Sequence, residues 1–341
     1  MRDKFLRVKK IFVTGASGFI ASHCLIDLLR HSYRVVGTIR SPAREKVLRS
    51  IISRSELDNN QIEFKEADLK KPDQISLAMS GCDAVFHIAS PVPIVQPKIR
   101  KDIIETAKEG TLNVLESARN HGIKRIILTS SILTLLDNTD KKSLYNSLYQ
   151  ANPGDGNMSP YAQSKILAEQ AAWKFSRENP LDLTTIHPSL VLGPCLETDY
   201  GSSLEAILKL IRKEVPLIPN FGFEIVDVRD VASLHRIALE SNSSIGKRLI
   251  ASTEFFWFSE IAKHLKKKYP DRKIPTRTMP NWLTRVMSLF VPELREILSS
   301  LGKEIKLSKT QAVELGWQTI DPEKTIFDSA ESLLRHMKEL K

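Results

Sequence analysis

The chain has 341 residues, 42% of them hydrophobic and 26% charged, with a formal net charge of +10. That length and composition suit a soluble globular protein with a sizeable core, built as one large domain or two intimate ones. No apolar run approaches the length needed to span a bilayer, and the positive residues are spread too thinly for a nucleic-acid surface. The densest basic run, Lys266-Lys267-Lys268, closes an apparent helix, where cations complement the helix dipole. Met1–Leu6 has no apolar signal-peptide core, and Cys24, Cys82 and Cys195 are odd in number and widely spaced. Free thiols and a cytoplasmic location are therefore expected, with no membrane span and no metal site.

The first informative element is a strand, Lys10–Thr14, running through Thr14, Gly15, Ser17 and Gly18 into an amphipathic helix over Phe19–Arg30. Glycine lets the backbone turn tightly and approach a pyrophosphate, while the helix amino terminus offers free N–H groups and a positive dipole. Ala21 takes the third small position, where helix and strand pack closely. The strand–turn–helix context marks this as a dinucleotide loop, with Phe19 and Ile20 opening the helix beneath it.

The second strand, Arg34–Ile39, ends at Arg40, where NAD-preferring versions of this motif carry an acidic residue on the ribose. A guanidinium there suits a ribose 2′-phosphate, with Arg44 or Lys46 as a second cation. NADPH is the expected cofactor.

Further strands are expected at Ile62–Glu66, Ala84–Ile88, Arg125–Thr129 and Leu183–His187, with helices at Ala43–Ser53, Pro72–Ser80, Ile99–His121 and Pro160–Glu178. Such alternation predicts an α/β fold, a Rossmann-type doubly wound parallel sheet, with ligands at the carboxyl ends of its strands. Residues 137–158 are an irregular insertion just before Tyr161. Tyr161 and Lys165 lie four apart in the helix and so share a face. A neighbouring ammonium favours the phenolate, but bringing a phenol from about 10 to about 7 needs roughly 4 kcal/mol, so a cofactor or a second dipole should assist.

After about residue 190 the alternation breaks up. A helix is expected over Ser203–Lys213, a strand over Glu224–Val226, a helix from about Arg229, a strand at Arg248–Ala251 and a helix over Ser259–Lys267. The division expected is a dinucleotide-binding unit over 1–190 and a mainly substrate-binding subdomain over 191–341, packed together without a linker. The apolar stretch from Pro280 to Leu301 is expected to be a lid or core, because it lacks the basic face of an interfacial helix.

Taken together, the chain resembles the extended short-chain dehydrogenase/reductases, in the branch of dihydroflavonol, cinnamoyl-CoA and microbial aldehyde or ketone reductases. The resemblance runs from about Lys9 to about residue 330. It is carried by Thr14–Ala21, Ala67-Asp68-Leu69, His87–Pro91, Gly110–Leu115, Leu128–Ser131, Ser164–Phe175, His187–Pro194 and Leu307–Trp317.

The resemblance implies roles. Asp68 and Leu69 border the adenine; Ala89, Ser90 and Pro91 wall the ribose and nicotinamide; Pro188 orients the nicotinamide end. Ser131 polarises the substrate carbonyl, with Ser130 or Thr134 as substitutes if the register is shifted. Tyr161 donates the proton and Lys165 bonds the nicotinamide ribose. The implied activity is NADPH-dependent reduction of an aldehyde or ketone by a monomer or homodimer. The alternatives are an NAD-dependent sugar-nucleotide epimerase or dehydratase, which Arg40 argues against, and a non-catalytic NADP(H)-sensing protein, which would commonly lose Tyr161 or Lys165. Plant dihydroflavonol reductases carry Asn five residues after the catalytic serine. Leu136 stands there in this chain, and with Pro93, Ile94, Leu133 and Phe221 it suggests a hydrophobic carbonyl substrate rather than a polyhydroxylated one.

Overall fold

The structure, a computed structural model, describes residues 9–90, 100–136, 144–154, 158–198, 200–291, 293–298 and 300–339. In chain order the first half contains β1 (Lys10–Val13), α1 (Phe19–Arg30), β2 (Arg34–Ile39), α2 (Ala43–Arg54), β3 (Ile62–Glu66), α3 (Pro72–Met79), β4 (Ala84–His87), α4 (Arg100–Asn120), β5 (Arg125–Thr129), β6 (Leu144–Tyr145), α5 (Pro160–Glu178) and β7 (Asp182–Pro188). The second half contains β8 (Leu190–Leu192), α6 (Gly201–Ile211), β9 (Ile218–Pro219), β10 (Gly222–Asp227), α7 (Val228–Glu240), β11 (Arg248–Ala251), β12 (Glu254–Trp257), α8 (Phe258–Lys268), β13 (Thr278–Met279), α9 (Asn281–Met287), α10 (Glu293–Glu296), β14 (Lys306–Leu307), α11 (Thr310–Glu314) and α12 (Pro322–Glu339).

Seven strands make the central sheet in the order β11-β7-β5-β4-β1-β2-β3, every neighbouring pair parallel. Their apolar runs are covered on both faces. One face packs Leu25, Leu28, Leu48, Ile52, Val231 and Leu234 from α1, α2 and α7. The other packs Ile75, Met79, Val114, Leu115, Ala118 and Ala172 from α3, α4 and α5. This is the doubly wound α/β architecture, and the strand order reverses between β1 and β4, where ligands bind in such sheets.

The sheet is not confined to residues 1–190. β11 pairs with β7, and α7 packs against α1, so the later chain returns to complete the first unit. The remainder builds a separate layer: β8, β10 and β12 form a small sheet packed with α6, α8 and α12 around Leu204, Ile207, Ile261 and Ile326. The Lys266–Lys268 run does end α8, and Lys266 caps it by donating to the carbonyls of Pro270 and Arg272 at 2.7 and 2.6 Å.

Of the lid or core expected for 280–301, the stretch around α9 is not core. α9 turns Thr284 inward and leaves Trp282 67% exposed; beyond its end Ser288 is buried, while Leu289 and Phe290 are 69% and 77% exposed.

Candidate active site

The dinucleotide loop lies at the switch point of the sheet. After β1 the chain turns at Gly15, whose φ of +66° is strained for any residue with a side chain. A Cβ there would also stand 2.8 Å from the Ala89 Cβ, on the segment leaving β4. Two strand-end segments thus approach each other closely because neither Gly15 nor Ala89 is large. The Gly15 N–H donates to Thr38 Oγ1 at 3.0 Å and the Ala16 N–H to the Thr38 carbonyl at 2.8 Å, tying the loop to β2. Gly18 caps α1 without a side-chain acceptor, so the first-turn N–H groups of the helix have no side-chain cap. Ser17, Phe19 and Ile20 are partly exposed around that terminus.

The Thr14 hydroxyl, just after β1, ties this strand to the segment leaving β4. Its oxygen accepts the N–H groups of Ile88 and Ala89 at 3.0 and 2.9 Å and lies 2.9 Å from His87 Nδ1. With Nδ1 accepting the Thr14 proton, His87 Nε2 donates to Thr111 Oγ1 at 3.2 Å, and Thr111 donates to the Ala107 carbonyl at 2.8 Å. Burial and the charge of Lys165 push His87 down to about 3, which keeps it neutral and preserves this chain of bonds.

Beyond β2, Arg40 and Lys46 are exposed at the mouth of the loop. Arg44 is committed elsewhere: its guanidinium pairs with Glu197 at 2.5 Å. Asp68 accepts the Lys70 N–H at 2.8 Å, and Leu69 packs against Gly110. Pro188, at the end of β7, is buried beside Ser189, whose hydroxyl has no hydrogen-bond partner among the described residues. Pro91, Pro93 and Ile94 lie outside the described residues.

Ser131, Tyr161 and Lys165 come from adjacent elements. Ser159 caps α5 by accepting the Ala162 N–H, and Pro160 occupies its first turn. Tyr161 therefore sits in the first turn, where the helix dipole favours negative charge, and Lys165 one turn further. The Lys165 ammonium donates to the Thr129 carbonyl at 3.3 Å, at the end of β5. Two residues on, Ser131 Oγ accepts the Leu133 N–H at 3.2 Å, and its proton has no partner among the described residues. The substitutes are already engaged: Ser130 donates to Glu169 at 2.6 Å, and Thr134 donates to the Ser131 carbonyl at 2.8 Å.

Burial pushes the Tyr161 phenol up to about 12, opposite to the lowering expected of a lysine four residues away. The reason is the phenol's own burial, which disfavours its charged form. Burial also draws Lys165 down to about 8, against the pull of Glu169.

Sequence reasoning missed the group beneath this pair. Glu169, one turn past Lys165 and buried, accepts from Ser130, from Trp173 Nε1 at 3.1 Å and from Arg248 Nε at 2.7 Å. Its positions at 165, 169 and 173 form an i, i+4, i+8 stripe that could have pointed to it.

The apolar substrate candidates do not converge. Leu133 packs on Met158, Ala162 and Ile166, while Leu136 packs with Tyr145, Ile250 and Leu307. Phe221 stacks on Phe258 with ring centres 5.2 Å apart.

Comparison with known proteins follows the same lines. The pattern of the NAD dependent epimerase/dehydratase family matches residues 11–250. Tetraketide alpha-pyrone reductase 1 of Arabidopsis thaliana is 39% identical over 274 residues, covering 79% of this chain and 83% of that protein. Cinnamoyl-CoA reductase CAD2 of Medicago truncatula is 34% identical over 275 residues, covering 78% and 83%. Among solved structures, yeast methylglyoxal/isovaleraldehyde reductase Gre2 complexed with NADPH superimposes with a TM-score of 0.80 at 26% identity, covering 96% of this chain and 99% of that one.

Proposed function

The chain belongs to the NAD dependent epimerase/dehydratase family, and we propose from that premise that it is an NADPH-dependent carbonyl reductase, converting an aldehyde or ketone to an alcohol. The observation that carries the reading is the grouping of Ser131, Tyr161 and Lys165 next to a glycine loop at the sheet's switch point, in a chain whose relatives are reductases.

The residues present fit the cofactor. The cradle at Gly15, which a Cβ would fill, and the uncapped start of α1 suit a pyrophosphate. Arg40, exposed beyond β2, suits the 2′-phosphate, with Lys46 as a second cation. Asp68 and Leu69 would border the adenine, and Ala89, Ser90, Pro91 and Pro188 the nicotinamide end. When bound, NADPH supplies the hydride.

The chain's own groups handle the oxygen. Ser131 presents a free hydroxyl proton to the substrate carbonyl and polarises it. Tyr161, protonated at neutral pH like any phenol and held more firmly so by burial, holds the proton that the developing alkoxide takes. Lys165 supplies positive charge beside the phenol and favours the phenolate that remains.

The reading is tested by following NADPH oxidation over a panel of aldehydes, ketones, aryl-CoA thioesters, pyrones and flavanonols, with NADH in parallel. Turnover of none of these would refute it. Within that assay, Arg40→Ala is expected to lower kcat/KM for NADPH by roughly 10- to 100-fold, the value of charge-assisted bonds to a phosphate. Its kcat/KM with NADH should stay within about twofold. An equal loss with both would remove Arg40 from the 2′-phosphate.

A further inference from the structure

The carboxylate behind the Tyr161–Lys165 pair is Glu169, one turn past Lys165 on α5. The carboxylate is only 4% exposed, yet three donors from separate elements converge on it: Ser130 just after β5, Trp173 on α5 and Arg248 on β11. Arg248 extends the connection. Its Nη1 donates to the carbonyls of Ser147, at 3.0 Å, and Tyr149, and its Nη2 donates to Thr134 Oγ1 at 3.1 Å. One guanidinium thus ties the carboxylate to the turn after Ser131 and to the segment leading toward Tyr161.

Lys165 and Glu169 also line one small cavity of about 10 Å³, together with His87, Thr111 and Ser130. That is about the space of one water molecule, and the Thr111 and Ser130 hydroxyls and the Lys165 and Glu169 side chains share its lining with Ala89, Leu128 and Ala168. A buried ammonium with a single carbonyl partner at 3.3 Å among the described residues is poorly compensated. A fixed negative charge across a water-sized space is the group that can compensate it.

We propose that Glu169 is a positioning residue for the reaction: it is the counter-charge that keeps Lys165 ionised, held in place by Arg248. This rests on the reductase reading, in which Lys165 must carry its charge to assist Tyr161.

The groups around the pair agree in sign. His87 on β4 and His187 on β7 are both held neutral by burial, down to about 3 and about 4. His187 lies 3.5 Å from Glu169, and its Nε2 is also 2.8 Å from Thr185 Oγ1. α4 presents Thr111, and no charged group, to the cavity. Burial opposes the Glu169 charge, but His187 where acid protonates it, the Arg248 guanidinium and the Ser130 hydroxyl more than offset it and hold the carboxyl down at about 2. It therefore stays ionised across the working range. Lys165, at about 8 with Glu169 present, would fall further without it.

Charge and shape can be separated. Glu169→Gln keeps the size and can still accept from Arg248 and Trp173, whereas Glu169→Asp keeps the charge and shortens the reach. The experiment measures kcat against pH for both variants, with NADPH affinity and melting temperature alongside. It also follows the Lys165 side-chain ¹⁵N resonance through a pH titration. A counter-charge predicts that Gln moves the alkaline limb of kcat down by about one pH unit or more, so the ratio of kcat at alkaline to acidic pH falls about tenfold. Asp should keep the wild-type limb. A purely structural tie predicts the reverse ranking, with Asp the more damaging variant and neither limb moved, and that result overturns the proposal. Should the Gln variant fail to fold, the wild-type titration still decides: a Lys165 side chain found neutral at pH 7 overturns it, and one still charged there supports it. Because that resonance is read without substrate, failure to turn over any carbonyl compound would be distinguishable from failure of this proposal.

Discussion

Tyr161→Phe is expected to lower kcat about a thousandfold while changing the NADPH dissociation constant by no more than about threefold. The substitution removes one oxygen and keeps the ring that fills the site, so packing at the start of α5 is preserved. What it removes is the acid. Burial pushes this phenol up to about 12, so it is fully protonated at neutral pH and ready to give a proton, but it is a weak donor unless positive charge is close. Lys165, the first-turn dipole of α5 and the cofactor would supply that charge together. The loss should fall on kcat and kcat/KM alike, because the proton is given only in the transition state. Single-turnover kinetics with bound NADPH check this directly, and undiminished reduction by the variant would remove Tyr161 from its role.

Gly15→Ala is expected to cost about 2–4 kcal/mol of stability and to weaken NADPH at least about tenfold. Two costs arise at once: a φ of +66°, which L residues adopt only with strain, and a Cβ 2.8 Å from the Ala89 Cβ. Neither neighbour can yield easily, since the Thr14 hydroxyl holds the Ala89 N–H and Thr38 holds the Gly15 N–H. Gly81→Ala is the matched control. It has a φ of +74° but nothing within 4 Å of a new Cβ, so it should show only the strain, with cofactor affinity intact. Thermal melts and fluorescence titration of NADPH compare the two. Equal effects on cofactor binding would mean that the close approach to Ala89 is irrelevant to the loop.

The parts of this fold that are local in sequence were legible in the residues. β1, the glycine turn and α1 declare themselves within twenty positions, and α5 is fixed by a Ser-Pro start and an unbroken run of helix formers. Strand ends agreed to a residue or so for the same reason: turn residues and apolar runs are short-range signals. What escaped needs partners far along the chain. Glu169 reads as an ordinary helical glutamate until Arg248 arrives from a strand 79 residues later. The expected boundary at residue 190 passed over β11, a four-residue strand whose place in the central sheet depends on pairing with β7 and not on any local pattern. In α9, periodicity revealed an apolar stripe but not its direction. The helix turns inward on Thr284, which donates to the Pro280 carbonyl, so the polar side could be buried and the apolar side left outside. Of the candidate site, the glycine turn and the Tyr161–Lys165 spacing are legible because each lies within a few positions, whereas what surrounds Leu133, Leu136 and Phe221 is not, since each packs in a different cluster built from distant parts of the chain.

The pairing of Leu144–Tyr145 with Lys306–Leu307 has a consequence for the order in which this protein becomes complete. Leu144–Tyr145 leaves the ribosome well before its strand partner β14, which follows more than 150 residues later. All seven central strands precede β14 in the chain, so they can assemble while synthesis continues, and Arg248 can clamp the carbonyls of Ser147 and Tyr149 some sixty residues before β14 emerges. The edge of that segment still waits for the tail. A nascent chain can thus possess its central sheet well before β6, between Ser131 and Tyr161, is paired, so the emergence of β14 sets when that segment is finished.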